Sequence, residues 1–101
     1  MSVFVILTTK PGQYRTELGD GLSAIERYDY TLCGRTRAQF TIARLEAPTR
    51  VKVVDETPPV VVNYVPSKFL PRFDTVEGAR AQLAELARSG GSDFRLTAVA
   101  L

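Results

Sequence analysis

The sequence predicts an α+β fold: a mainly antiparallel, curved sheet of six to seven strands, with one α-helix in the C-terminal half followed by a closing strand. Three observations predict it. Short β-branched and aromatic segments bounded by Gly and Pro recur through residues 2–65. One amphipathic stretch with a capping residue and a glycine stop follows them, and alternation resumes after it. Strands first and a helix late is the segregated pattern of α+β proteins, not the β-α alternation that builds a parallel sheet. At 101 residues, 45% hydrophobic and 24% charged, the chain has the size and composition of a single globular domain. That composition excludes a disordered tail, a collagen-like rod and a disulfide scaffold.

Residues 2–9 (SVFVILTT) are β-branched and aromatic with no turn former, which predicts a first strand buried on both faces. Lys10-Pro-Gly-Gln13 sets Pro and Gly where a type II turn needs a fixed φ and then a positive one, so a hairpin is expected with residues 14–18 returning. Gly19-Asp-Gly21 makes a loop. From Ala24 the chain alternates, with Ala24, Glu26, Tyr28, Tyr30 and Leu32 on one face. Gly34-Arg-Thr-Arg37 is the expected turn into residues 38–45, where Phe40 and Ile42 share a face, giving a second hairpin. Residues 50–54 alternate again, Pro58-Pro59 separates strands, and residues 60–65 carry the strongest β signal in the chain.

Residues 67–70, bracketed by Pro66 and Pro71, are long enough for a single turn. The helix is predicted over residues 74–89: Asp74 as N-cap with Glu77 in capping-box spacing, and Val76, Ala79, Leu83 and Leu86 as the apolar stripe. Glu77 with Arg80 and Glu85 with Arg88 are spaced to pair on its exposed side. Gly90-Gly91 ends it, since glycine accepts the left-handed conformation beyond a helix. Residues 94–101 return as the last strand, with Phe94, Leu96 and Ala98 facing one way. Tyr64, Phe69, Phe73 and Phe94 are expected in the core around the helix start. Six or seven strands would span about 25 to 30 Å, and one helix covers only about 10 Å of that width. Half of one face is therefore left over, to be covered by curling of the sheet or by a twofold partner. Tyr28, Tyr30, Leu32, Val61 and Val65 are the residues expected on that leftover surface, and a homodimer or protein partner is the expected means of covering it. If the sheet instead shuts on itself, the functional surface is expected at the mouth near Lys10 and Gly34.

The function classes narrow by chemistry. The chain has no histidine, so no Ser/His/Asp or Cys/His arrangement is available, and one cysteine with scattered carboxylates gives no zinc set; no metal and no cofactor are expected. Cys33 sits beside Gly34, Arg35 and Arg37, cations that lower a thiol's pKa, and is the reactive-thiol candidate. A phosphate-transferring thiolate loop would require an arginine at the position of Gln39, so the match fails and a half-buried structural cysteine is expected. Asp55-Glu56 reads as a solvated strand end, and Lys10 as a cation without the desolvation a nucleophilic amine needs.

Arg27, Arg35, Arg37, Arg44, Arg50 and Lys52 are interleaved with Tyr28, Tyr30 and Phe40, as in a sheet that stacks bases and pairs phosphates. Glu26, Asp29 and Glu46 in the same stretch, and the ordinary use of tyrosines as cross-strand packing, oppose a nucleic-acid reading. The net charge of +2 does not set a partner, and the single cysteine and the absence of a leader or a membrane-spanning run suggest a cytoplasmic protein that does not span a bilayer. The reading is a small soluble, non-catalytic binding or accessory protein acting through a sheet surface. A thiol-dependent enzyme or redox protein using Cys33, and single-stranded nucleic-acid binding by the Arg-rich region, stand as alternatives.

Overall fold

Apolar residues on both faces of the first strand require cover on both sides, and the fold supplies it. In a computed structural model that describes residues 2–91 and 93–101, β1 (Val3–Thr9) lies inside a five-stranded sheet. Its Phe4 and Ile6 face the helix, while its Val5 and Leu7 face a second, three-stranded sheet. The other elements are β2 (Tyr14–Glu17), β3 (Leu22–Leu32), β4 (Arg35–Leu45), β5 (Arg50–Asp55), β6 (Val62–Pro66), a 3-10 turn (Ser67–Phe69), β7 (Arg72–Phe73), α1 (Val76–Ser89) and β8 (Phe94–Val99). The larger sheet runs β7-β1-β4-β3-β8 and the smaller β2-β5-β6, with every pairing antiparallel. The mainly antiparallel α+β architecture with a late helix and closing strand is the predicted one. No helix among the described residues is long and apolar enough to cross a membrane.

The strands divide between two layers instead of curling as one sheet, and the division begins at the first turn. The Lys10 carbonyl accepts from the Gln13 N–H at 2.9 Å, with Gly12 at φ +82 in the position where only glycine is unstrained. Beyond the bridge between Lys10 and Tyr14 the expected hairpin opens. Thr16 clamps β2 to β1 by side chain, its N–H donating to Thr9 Oγ1 at 2.9 Å and its hydroxyl to the Thr8 carbonyl, while the backbone of β2 pairs with β5. Val51 on β5 then covers Val5, Leu7 and Ala43, burying the face that one helix cannot reach.

On the other face, Ala79 and Leu83 pack on Ile6, Tyr30, Ala38, Phe40 and Ile42. Val76 is half-buried, and Leu86 at 40% exposure lies outside the core stripe. The N-cap is Thr75, one residue later than Asp74: its extended backbone lets Oγ1 accept from the Gly78 N–H at 3.0 Å. Arg80 does not pair with Glu77; it leaves the helix surface for Glu26 on β3. Glu85 and Arg88 pair as their spacing predicts.

Two bulges alter the alternation read from sequence. On β3, Ala24 is opposite Ala43 and Glu26 opposite Ile42, which leaves Ile25 as an extra residue and turns Ala24 to the face opposite Glu26, Tyr28 and Tyr30. On β4, Tyr30 is opposite Ala38 and Thr31 opposite Thr36, which leaves Arg37 unpaired. The hairpin turn is Cys33-Gly34, with φ +51 and +80, so β4 begins at Arg35. Tyr64 and Phe69 are exposed, unlike Phe73 and Phe94, because they lie on the second sheet and the 3-10 turn, beyond the helix-facing core. The surface expected to be left over is mostly covered: Tyr30 is buried and Tyr28, Leu32 and Val65 are half-buried, leaving Val61 exposed.

Candidate functional site

A cleft of about 460 Å³ opens where three elements meet: the Lys10–Gln13 turn, the distal end of the β3-β4 hairpin and the last turns of α1. Its floor is Tyr30, Ala38, Phe40 and Phe94, with Leu86 as the helix wall. Tyr30 and Phe94 stack at 4.7 Å between ring centroids, and Phe40 meets Tyr30 edge-on at 5.9 Å. Gly90 makes this stack possible. It is right-handed in backbone, so its role is space: a Cβ there would collide with Tyr30 Oη and come within 2.8 Å of Phe94 Cδ2. The left-handed residue that ends the helix is Gly91, at φ +94.

Polar groups line the cleft from two sides. Lys10 and Gln13 come from the first turn; Thr36 and Arg37 come from the bulged end of β4. The bulge gives Arg37 no cross-strand neighbour and re-aims it, a use of bulges common beside binding sites. Lys10 and Arg37 are both exposed, and neither makes an ion pair or side-chain hydrogen bond among the described residues. Among the described residues, no carboxylate lines the cleft. Chemically, this is a concave apolar surface rimmed by two free cations. A second cleft of about 320 Å³, between the sheets, is lined by Leu7, Val51, Val53, Val65 and Leu70 among others, with no charged residue among the described ones.

Farther along the same face, Glu26, Tyr28 and Arg80 form a closed polar set. Tyr28 Oη donates to Glu26 Oε1 at 2.7 Å, and Arg80 Nε donates to the same oxygen at 2.8 Å, with Nη2 donating to Oε2. The bond from Arg80, and then that from Tyr28, hold the Glu26 carboxyl below the usual carboxylate range. Burial, and then the Glu26 bond, push the Tyr28 phenol up. Each group's charge is already answered within the set, which is an inter-element clasp.

The residues singled out in the sequence are spread over different surfaces. Arg37 reaches the cleft rim and Tyr30 its floor. Tyr28 belongs to the clasp. Arg35 is exposed at the hairpin end, and Arg44 lies at the other end of β4 beside Glu46, at 3.4 Å. Lys52 and Arg50 are on β5 in the other sheet. Arg27 sits on the sheet face opposite Tyr28, half-buried, with its Nε buried and without a hydrogen-bond partner among the described residues. No continuous basic-aromatic strip forms. Cys33 is exposed at the tip of its turn rather than half-buried, its N–H donating to the Asp93 carbonyl at 3.5 Å. Among the described residues, no group of three or more His, Cys, Asp or Glu gathers where a metal could sit.

Lys10, Gln13, Thr36, Phe40, Leu86 and Phe94 complete a site that the linear pattern assigned to turns and core. The signal for it was the cation next to the Pro-Gly turn and the mouth expected near Lys10 and Gly34. No protein-family model, no curated protein and no solved structure matches the chain.

Proposed function

We propose that the chain is a non-catalytic binding protein that takes a small organic anion with an aromatic or hydrocarbon body into the cleft between the first turn, the hairpin end and α1. One observation carries this reading: Lys10 and Arg37, both without a protein counter-ion among the described residues, rim a floor of Tyr30, Phe40 and Phe94 that contains no carboxylate. Aromatic floors hold the apolar body of a ligand, and a few placed charges orient its anionic end. Arg37 offers a planar fork suited to a carboxylate or sulfonate, and Lys10 a point charge. A volume of about 460 Å³ is within the range of small-molecule sites.

Calorimetry with 2-naphthoate and its neutral amide, 2-naphthamide, tests the reading. The acid is expected to bind about tenfold or more tightly than the amide, and Arg37→Ala and Lys10→Ala each to weaken the acid by a similar factor, as charged hydrogen bonds warrant. Equal affinities for acid and amide, or an Arg37→Ala variant that binds the acid as the parent does, would overturn it. We also infer that the chain pairs with itself, since apolar side chains remain exposed on the smaller sheet, with Val62 at 43% and Tyr64 at 58%.

A further inference from the structure

We propose that two copies of this chain join edge to edge through β6, merging their three-stranded sheets into one six-stranded sheet across a twofold axis. The inference rests on the self-pairing proposed above and names its surface. β6 pairs with β5 on one side and is the outer strand of the order β2-β5-β6. Which of its backbone groups are free follows from the bonds at its two ends. The Val61 carbonyl accepts from the Asp55 N–H at 2.9 Å, and the Ser67 N–H donates to the Thr49 carbonyl at 2.8 Å. In an antiparallel pair the inward-bonding residues alternate with outward-facing ones. The register that sets Val51 opposite Val65 and Val53 opposite Asn63 therefore turns the N–H and C=O groups of Asn63 and Val65 inward, and those of Val62 and Tyr64 outward. Pro66 falls on the outward parity, where its missing N–H removes no bond to β5 and closes the end of the free edge.

The remaining sheet edges are very short or carry charged side chains, whereas on β6 the one feature that discourages pairing is Pro66, at its last residue. β7 is two residues long, β2 is four residues carrying Arg15 and Glu17, and β8 carries Arg95. β6 has no charged side chain, and its exposed residues include Val62 at 43% and Tyr64 at 58%.

A second copy fits this edge in two ways. A twofold axis at Asn63 sets Val62 of one chain directly opposite Tyr64 of the other, so the outward N–H and C=O groups of both residues are satisfied at once. The same register makes two aromatic-to-β-branched pairs, a stabilising cross-strand combination. The strand is also flanked by opposite charges, Asp55 and Glu56 before it and Lys68 after it, and antiparallel pairing carries the acidic end of each chain toward the basic end of the other. One added strand buries less than the ~800 Å² per partner of a standard interface, so the dimer dissociates measurably on dilution.

Sedimentation equilibrium of the full chain from about 1 to 100 µM, the range of weak pairing, should show the mass rise from one chain toward two, and Tyr64→Lys should move that rise about tenfold higher in concentration. Register is read by cross-linking in a Cys33→Ser background, with a copper-phenanthroline oxidant. Asn63→Cys puts two thiols at a pair where Cα atoms lie about 4.5 Å apart, within disulfide reach, whereas Tyr64→Cys displaces them along the strands. Asn63→Cys is expected to link about tenfold faster than Tyr64→Cys, both variants melting as the Cys33→Ser parent does. A one-chain mass throughout overturns both the self-pairing and this interface. A dimeric mass with Asn63→Cys linking no faster than Tyr64→Cys keeps the self-pairing and overturns the β6 edge.

Discussion

Arg80 on α1 donates from Nε to Oε1 of Glu26 on β3 at 2.8 Å, tying the helix to the longest hairpin across 54 residues of sequence. The consequence is a pH dependence of known sign. Glu26 titrates below its ordinary value of 4.5 because the folded state answers its charge. Its contribution is fully present above the unfolded value and is lost as pH falls through the folded one. Thermal melts of the parent are expected to fall as pH drops below about 4.5, and Glu26→Gln to flatten that acid branch. Identical acid slopes for the two proteins would show that the clasp does not couple to folding.

Leu83 is the helix residue that the sheet depends on, at 2% exposure against Ile42 and Phe40. Leu83→Ala should cost about 2 to 5 kcal/mol by cavity formation, read from urea unfolding. Leu83→Asp should leave no cooperative transition, since an unpaired buried charge rivals the ~5 to 15 kcal/mol that holds a whole domain together.

Gly90 and Gly91 separate two reasons for glycine. Gly91→Ala meets no neighbour within 4 Å and suffers only the left-handed backbone, about 1 to 2 kcal/mol. Gly90→Ala, at a right-handed position just past the helix, gains up to about 1 kcal/mol by restricting the unfolded chain but drives its Cβ into Tyr30 and Phe94, an overpacking of about 1 to 3 kcal/mol. Its diagnostic is local: Gly90→Ala should alter the near-ultraviolet dichroism of the Tyr30–Phe94 stack, and Gly91→Ala should leave that signal unchanged.

Cys33 occupies the first position of a two-residue hairpin turn at φ +51, where asparagine is the favoured side chain. Cys33→Asn is expected to stabilise the protein by up to about 1 kcal/mol, part of the left-handed cost of an ordinary residue. The exposed thiol of the parent should also react with an alkylating reagent in the native state. A thiol modified only on unfolding would contradict its placement at the turn tip.

Local chemistry decided the elements of this fold. Proline and glycine at 11 and 12 made the first turn, the 79 and 83 positions of the helix stripe became core, and the alternation of Phe40 with Ile42 became one face of a strand. These are short-range effects of φ restriction and periodicity, visible without knowing what lies opposite. The helix start was missed by one residue because Asp74 and Thr75 are both capable caps, and the choice depends on which oxygen meets an N–H in three dimensions.

Tertiary structure alone decided how the strands divide. Residues 60–65 have the strongest β character in the chain, yet β6 became an exposed edge, because strand propensity does not say which neighbours a strand receives. The bulges at Ile25 and Arg37 are likewise invisible in the alternating pattern, since they exist only as mismatches between paired strands. The cleft follows from them. Arg37 looked like one of six interleaved cations, and only the register of β3 against β4, with the helix ending at Gly90, turned it toward Lys10 over an aromatic floor. Convergence of residues 10, 37 and 94 is a product of long-range packing, which a sequence read along its length does not display.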